Sequence, residues 1–431
     1  MNPGSIPGDR TDFTKGLLMA KNKKKNDETV DDEFFTELAE ANSGDVLDLM
    51  DGVRYCVDTG SLTLNYICSG KFLGGGIPGG KMIEIYGPNS SSKSLIGSNI
   101  LFGCQRMNGV AVLLDCENAA NKSFIQKASH CDPKKIVRFT PQTLEDTFAK
   151  MYKVIEFVRS KKGQDVPIVI LYDSITVSPC ARELREVSLP ENYTKEQFKK
   201  IVGGNEQPGE RAKICSREMR KLNSMMEKYN ATVVILNQTR AKIGGFAPMG
   251  QEAKTTGGGG NALPFYASLR LETKTQLKIE KKLTAKKKKI LGINIKVKNA
   301  KNRAYRPYVE SENIQLMFDR GINPISGLLS CLLDADRIEI KGAGNFVVKE
   351  PWAGGSEVKF KASLDRNDMP LDVLLRCPAL VDATSTEQLQ DYLAPFMDAI
   401  NFKPEDDSSI EVSEVDDVTG YEEEEIDEEI E

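Results

Sequence analysis

Residues 86–99 read YGPNSSSKSLIGSN, and the fold class can be inferred outward from this stretch. It follows the phosphate-loop pattern G-x-x-x-x-G-K-[ST], except that serine occupies the position of the second glycine. An apolar run over 82–86 precedes it and a predicted helix follows, as the pattern requires. Backbone N–H groups at such a helix N-terminus can surround a phosphate, and the lysine adds a point charge. The predicted nucleotide-binding residues are Gly87, Pro88, Asn89, Ser90, Ser91, Ser92, Lys93 and Ser94.

The composition is that of a globular protein with an uneven charge distribution. The 431 residues include nine cysteines without a C-x-x-C pair and a single histidine, which argues against a structural zinc site. The sequence contains no run of 18 or more apolar residues, the length that would indicate a membrane-spanning helix. Residues 405–431 contain fifteen acids and no base, so residues 1–404 carry 58 bases against 48 acids. This asymmetry favours a body that binds polyanions; the alternative is a solubilising tail on an ordinary body.

Seven apolar runs predict the strands of an α/β fold: KMIEIYG, VAVLLDC, IVRFT, VPIVILYD, ATVVILNQ, YASLRLET and GINIKVKN. Runs this apolar, alternating with helical stretches, indicate buried strands of a mostly parallel sheet covered by helices on both faces. Two polar segments rich in glycine and proline, 185–209 and 240–260, are predicted functional loops. A short amphipathic helix is expected after residue 31.

Acidic side chains are predicted at the carboxyl ends of two of these strands. Asp173 ends one strand, where it can bind Mg²⁺ together with Ser94, and Asp115 and Glu117 follow another. A carboxylate there can activate a water molecule for attack on a γ-phosphate. Each acid alone could be a solvated loop residue. Ligands of doubly wound sheets bind at the carboxyl ends of the strands. The convergence of these three acids beside one phosphate loop therefore favours a functional site.

At these motifs the chain resembles the RecA family of homologous-recombination ATPases. The resemblance rests on six motifs in order: DTGSLTLNYICSGKFLGGGIPGGKMIEIYGPNSSSKS, LLDCENA, ILYDS, LNQTRAKIG, TTGGGGNALPFYASLRL and RGINPISGLL. It implies a RecA-type core with a mostly parallel sheet, an N-terminal polymerisation helix and a small α/β C-terminal domain. The expected divisions are a disordered extension 1–30, a helix and linker 31–55, a core 56–321, a C-terminal domain 322–395 and a disordered acidic tail 396–431.

The resemblance also implies roles for residues that match the family motifs. Glu117 would be the catalytic base, assisted by Lys93, and Gln238 would sense the γ-phosphate. Phe124 would stack on adenine, with core packing as the alternative. Lys301, Arg303 and Phe265 would act across a subunit interface; the alternatives are a solvated strand face and core packing. The chain departs from the family at Ser92, Asn118 and Pro264 and has an enlarged basic stretch at 278–289.

Candidate DNA-binding residues lie in the second loop and on the helix after the first. Cations can follow phosphates, glycine N–H groups can approach them, and apolar side chains can insert between bases. The alternative is a flexible surface loop and a solvated helix face. The candidates are Lys213, Arg220, Arg240, Lys242, Ile243, Phe246, Lys254, Gly259, Gly260 and Asn261.

Together, the site residues and the resemblance imply an ATP-dependent DNA recombinase, a DNA-dependent ATPase that forms filaments on single-stranded DNA and promotes homologous pairing and strand exchange in recombination and repair. ATP and Mg²⁺ are the expected cofactors. Single-stranded and double-stranded DNA are the expected partners, along with copies of the same chain in a helical filament and single-strand-binding or mediator proteins. No membrane partner is expected, and the expected location is the cytoplasm of a bacterium, or of the host if the protein is phage-encoded. Two other functions remain open: a filament-forming accessory protein with a weak ATP site, for which Ser92 is the support, and a hexameric helicase on the same core.

Overall fold

The computed structural model describes residues 41, 53–118, 122–183, 209–241, 254–256, 260–284 and 287–415. Their strands are β1 Cys56–Val57, β2 Ile77–Pro78, β3 Met82–Gly87, β4 Val110–Asp115, β5 Ile136–Phe139, β6 Ile168–Asp173, β7 Ala231–Ala241, β8 Lys254–Thr256, β9 Leu269–Lys282, β10 Lys288–Asn302, β11 Glu310–Met317, β12 Gly321–Ile322, β13 Ile338–Gly342, β14 Asn345–Val348, β15 Lys359–Lys361 and β16 Ile410–Glu414. The helices are α1 Leu62–Ser69, α2 Lys93–Arg106, α3 Lys122–Ser129, α4 Leu144–Lys161, α5 Glu210–Tyr229, α6 Ala262–Tyr266, α7 Leu328–Asp334, α8 Leu371–Arg376, α9 Thr386–Leu393 and α10 Met397–Ile400.

The central sheet has the strand order β12-β11-β10-β9-β3-β7-β6-β4-β5, with β8 paired to β7 and β16 paired to β9. From β9 to β5 neighbouring strands are parallel, whereas β10, β11 and β12 continue the sheet antiparallel. A smaller sheet contains β13, β14 and β15, and β1 pairs with β2. The prediction of an α/β fold around a mostly parallel central sheet is confirmed.

Helices cover both faces of this sheet because its strands are apolar on both sides. Along β6, Ile168, Ile170 and Tyr172 pack with α4 and α5, whereas the alternating Val169 and Leu171 pack with α1 and α2 on the other face. Helix α4 begins after Thr143, whose hydroxyl accepts a hydrogen bond from the Asp146 N–H at 3.1 Å. This capping bond fixes the helix start beside the strand ends.

The structure departs from the predicted division of the chain at its C-terminal end. Residues 396–431 were predicted to be a disordered tail, but 397–400 form α10 and 410–414 form β16. That prediction is therefore wrong for this part of the segment. Residues 410–414 read IEVSE, and this alternation fits a strand even though the surrounding composition is acidic.

Two units divide the chain, Met1–Gly52 and Val53–Glu431. Because the second is one unit, contacts do not separate the predicted core from the predicted C-terminal domain at residue 321. The predicted N-terminal helix lies outside the described residues except for Ala41, which is helical. Most of the predicted loops 185–209 and 240–260 also lie outside them. In the described part of the chain, no helix is long and apolar enough to cross a membrane.

Candidate functional site

The phosphate loop joins β3 to α2 and has a defined backbone. A Cβ atom at Gly87 would lie 2.2 Å from the Thr273 carbonyl oxygen, so only glycine fits at the loop's first position. Ser92, which stands in place of the second glycine, has φ 61° and ψ 21°, and Ser90 has φ 58°. These are left-handed conformations that glycine adopts more readily than serine. The backbone at Ser92 therefore carries strain that a glycine would avoid.

Lys93 directs its ammonium group into this loop. Its Nζ donates hydrogen bonds to the carbonyl oxygens of Gly87 at 3.2 Å and Pro88 at 2.5 Å and to Ser91 Oγ at 3.3 Å. Burial lowers the pKa of Lys93 to about 8, and the carboxylates of Asp173 and Glu117 oppose this shift. A cation held at this position meets a phosphate bound by the loop.

Asp173 lies at the end of β6 and faces the start of α2. Burial raises its pKa to about 6, a hydrogen bond from the Ser94 hydroxyl lowers it, and the Glu117 and Asp115 carboxylates raise it. A carboxylate and a hydroxyl in contact are the hard oxygen ligands that Mg²⁺ accepts when phosphates and water complete its coordination. Ser94 and Asp173 thus fit a magnesium ion.

The two acids at the end of β4, Asp115 and Glu117, have different surroundings. The side chain of Asp115 is almost fully buried, and its Oδ2 accepts two bonds from the Arg138 guanidinium, at 3.0 and 2.5 Å. Glu117 is exposed, and its Oε1 accepts a hydrogen bond from the Ser174 hydroxyl at 2.7 Å. Because Asp115 is buried and paired with Arg138, Glu117 is the better candidate to meet a water molecule.

Gln238 lies next to the phosphate loop across the sheet. In the parallel pairing of β3 and β7 it is in register with Gly87. Its backbone N–H donates a hydrogen bond to Thr176 Oγ1 at 3.2 Å. Gln238 therefore lies at the same edge of the sheet as Asp173 and Glu117. This position fits a residue that responds to a bound nucleotide.

The three residues expected at a subunit interface lie together on one surface. Lys301 Nζ donates to the carbonyl oxygens of Pro264 at 2.7 Å and Phe265 at 2.9 Å, and an Arg303 nitrogen donates to the Phe265 oxygen at 3.2 Å. Burial lowers the pKa of Lys301 to about 8, and neighbouring Arg303 and Arg270 lower it further. The Phe265 side chain is 64% exposed, so core packing does not explain it.

Some of the predicted DNA-binding residues can be placed. Lys213 and Arg220 are exposed on α5, and Gly260 and Asn261 directly precede α6. β7 pairs antiparallel with β8, which joins the two ends of the second loop. The residues outside the described part of the chain are Lys242, Ile243, Phe246 and Gly259, and the same holds for the side chains of Arg240, Lys254 and, in α3, Phe124.

Several residues of this region were not predicted from the sequence. Arg138, which holds Asp115 at the end of β4, carries no sequence signal because its partner is 23 residues away. Ser174 ends the motif ILYDS, but the motif does not show that its hydroxyl binds Glu117. Glu84 does carry one, since it is an acid within the apolar strand MIEIYG. It is fully buried and bonded to Asn237 and Arg270. A charged residue inside an apolar run is thus a signal for a buried polar network.

Comparisons with known proteins find similarity over most of the chain. The model of the RecA N-terminal domain matches residues 43–323. The chain is 30% identical over 344 residues to Protein RecA of Trichodesmium erythraeum (strain IMS101), covering 79% of this chain and 85% of that protein. It is 32% identical over 303 residues to Protein RecA of Rippkaea orientalis (strain PCC 8801 / RF-1), covering 70% and 76%. Protein RecA of Syntrophus aciditrophicus (strain SB) is 30% identical over 287 residues, covering 67% and 73%.

Proposed function

This chain belongs to the RecA family, and from that premise we propose that it is an ATP-dependent recombinase. In this proposal it forms helical filaments on single-stranded DNA and promotes pairing and strand exchange with homologous duplex DNA. The observation that carries the proposal is the convergence of Lys93, Asp173, Glu117 and Gln238 at one edge of the parallel sheet. Ligands of doubly wound sheets bind at that edge.

The chain's own residues suggest how ATP would be cleaved. Lys93 and the loop N–H groups would hold the phosphates and stabilise the charge that develops on the γ-phosphate. Mg²⁺, held by Ser94 and Asp173, would supply further neutralisation of the phosphate oxygens. Glu117, oriented by the Ser174 hydroxyl at 2.7 Å, would take a proton from the attacking water.

DNA binding and assembly belong to the same proposal. Lys213 and Arg220 on the exposed side of α5 would contact DNA phosphates together with the 240–260 loop. Lys301 and Arg303 would reach the nucleotide bound by a neighbouring copy, and the exposed Phe265 would be covered by that copy. ATP bound between copies would then favour the DNA-bound assembly, and hydrolysis would release it.

A filament-forming accessory protein with a weak ATP site is the second candidate function. The left-handed backbone at Ser92 favours it, because a β-carbon at φ 61° costs energy that glycine avoids. The presence of the lysine, metal ligands and base argues against it.

Replacing Glu117 by glutamine tests the proposal. The variant keeps the size of the side chain and a hydrogen-bond acceptor for Ser174 but cannot take a proton. We expect DNA-stimulated ATP hydrolysis to fall by about 10²- to 10⁴-fold, the usual contribution of a general base, with ATP binding retained. Glu312→Gln, an exposed acid paired with Lys296 in the same sheet, is the matched control and should leave hydrolysis unchanged. Equal hydrolysis by Glu117→Gln and the wild type would remove Glu117 from the reaction.

A further inference from the structure

Glu84 is a fully buried carboxylate in β3, three residues before the phosphate loop begins. Both of its oxygens are bonded: Oε1 accepts from Asn237 Nδ2 at 2.9 Å and Oε2 accepts from Arg270 Nε at 2.5 Å. Burying a charge is costly even when it is paired, and an apolar residue in this strand would avoid that cost. The placement of the two partners suggests what the buried charge does.

One partner leads to the nucleotide edge of the sheet. Asn237 directly precedes Gln238, and its Oδ1 accepts a hydrogen bond from the Thr176 hydroxyl at 3.1 Å. The same hydroxyl accepts the backbone N–H of Gln238 at 3.2 Å. Thr176 follows the β6 end that holds Asp173 and Ser174. Two hydrogen bonds, Thr176 to Asn237 at 3.1 Å and Asn237 to Glu84 at 2.9 Å, therefore connect this edge to the buried carboxylate.

The other partner leads to the surface that carries Lys301. The Arg270 guanidinium lies 4.5 Å from the centre of the Tyr86 ring, and Arg270 is in register with Lys301 in the β9–β10 pair. Lys301 in turn holds the carbonyl oxygens of Pro264 and Phe265. Two side chains, those of Arg270 and Lys301, therefore lie between the Glu84 carboxylate and the exposed Phe265.

Charge balance on this surface also depends on Glu84. The charged groups acting on Lys301 are Arg303 from its own segment, Arg270 from β9 and Glu84 from β3. Both arginines disfavour the charged form of Lys301, and Glu84 favours it. Glu84 therefore offsets a cluster of three cations that is partly removed from water.

We propose that Glu84 is a positioning residue that links Gln238 to Lys301, so that the state of the nucleotide site sets the geometry of the subunit surface. This rests on the proposed function, which puts ATP beside Gln238 and a second copy beside Lys301. Glu84 touches neither ATP nor the neighbour. It acts by holding Asn237 and Arg270 at fixed separation, so that the two ends of the network move together.

Glu84→Gln tests the link with little change of shape. An amide replaces one of the two carboxylate oxygens by an NH₂ donor, so it cannot accept hydrogen bonds at both the Oε1 and the Oε2 positions, where Asn237 and Arg270 donate, and it carries no charge. Two quantities are measured: binding of a fluorescent ATP analogue, and self-association by sedimentation velocity with and without that analogue. In the wild type, nucleotide should strengthen association. In Glu84→Gln, we expect nucleotide binding within about threefold of the wild type and the nucleotide effect on association reduced about tenfold, within the range of ordinary allosteric coupling.

Thr176→Val provides a second variant that removes no charge. Valine keeps the shape of threonine but loses the hydroxyl that joins Gln238 to Asn237, and it leaves the pair of Glu84 and Arg270 intact. It should show the same loss of coupling even where Glu84→Gln fails to fold. Glu312→Gln is again the control and should couple like the wild type, because its partner Lys296 lies outside the network.

A chemical readout of Lys301 needs neither ATP nor DNA. Competitive acetylation of lysines as a function of pH, read by mass spectrometry, gives the pH at which each amine becomes reactive. Loss of the Glu84 charge should make Lys301 reactive at lower pH, while Lys296 should not change. An unaltered Lys301 profile would overturn the electrostatic part of the inference.

The outcomes separate this inference from the proposed function. If the wild type neither binds the ATP analogue nor associates more strongly with it, the proposed function fails and the coupling role of Glu84 fails with it. If the wild type couples and both Glu84→Gln and Thr176→Val couple equally well, the proposed function stands and this inference is wrong.

Discussion

Replacing Ser92 by glycine changes the phosphate loop without altering its charges. Ser92 has φ 61° and ψ 21°, and its side chain makes no capping hydrogen bond to α2. A left-handed conformation costs a residue with a β-carbon about 1–2 kcal/mol. Glycine removes that strain but gives the unfolded chain more freedom, which costs about 0.5–1 kcal/mol. We therefore expect Ser92→Gly to raise the free energy of unfolding by about 0–1.5 kcal/mol.

The effect on ATP binding should be small. A phosphate loop binds through a preformed ring of N–H groups, so the same backbone is needed with and without nucleotide. Strain present on both sides of a binding equilibrium cancels. Even if all of it were released only on binding, about 1.4 kcal/mol would change the dissociation constant about tenfold. Hydrolysis should be similar because Lys93, Ser94 and Glu117 are unchanged.

Three measurements check this prediction: urea unfolding, titration with a fluorescent ATP analogue and phosphate release. Ser90→Gly is the matched control. Ser90 has φ 58° in the same loop, but Ser92 is the residue that directly precedes the helix. It should raise stability by a similar amount. The reasoning is refuted if the natural protein neither binds nor hydrolyses ATP and Ser92→Gly does both. That result would favour the accessory-protein alternative.

Three further predictions concern the interface, the metal site and the acidic segment. If Lys301 acts on the nucleotide bound by a neighbouring copy, a mixture of the Lys301→Ala and Lys93→Ala variants should regain part of the ATPase activity that each variant lacks alone. If the two variants fold and assemble together but regain no activity, Lys301 has another role. Since the pKa of Asp173 is about 6 and that of Lys93 is about 8, Mg²⁺-dependent ATP binding should change little with pH between these values and fall about tenfold per pH unit below 6. An Asp173→Asn variant whose binding declines below pH 6 as the wild type's does would contradict this. Deleting residues 416–431, which leaves β16 intact, should speed the binding of duplex DNA and make the affinity fall more steeply as the salt concentration rises. If the affinity depends on salt equally with and without the segment, the segment serves only solubility.

The strand–loop–helix unit and the strand ends were predictable because the signals are local. An apolar run followed by a glycine-rich loop fixes where β3 ends, and Asp173 and Glu117 follow equally clear runs. Parallel strands bring such ends to one edge, which is why the sequence alone predicts that these residues lie close together.

Side-chain partners were not predictable in the same way. Arg138 neutralises Asp115 from a strand 23 residues away, and Tyr86 lies under an arginine that comes from β9. Such pairs depend on the register between strands, which local sequence does not specify. Strand β16 was missed for a different reason: five alternating residues form it, and the acids around them dominated the composition.

The measurement that tests the central claim most directly is one reaction that follows ATP hydrolysis and DNA strand exchange together. It contains the natural protein, Mg²⁺ and ATP, circular single-stranded DNA and linear duplex DNA, with a heterologous duplex as the control. A recombinase with Glu117 as its base predicts hydrolysis stimulated by the single strand and exchange only with the homologous duplex. It also predicts that Glu117→Gln binds the single strand and hydrolyses ATP about 10²- to 10⁴-fold more slowly. Hydrolysis that ignores the single strand, or an absence of exchange by a protein that hydrolyses ATP and coats DNA, would contradict the account.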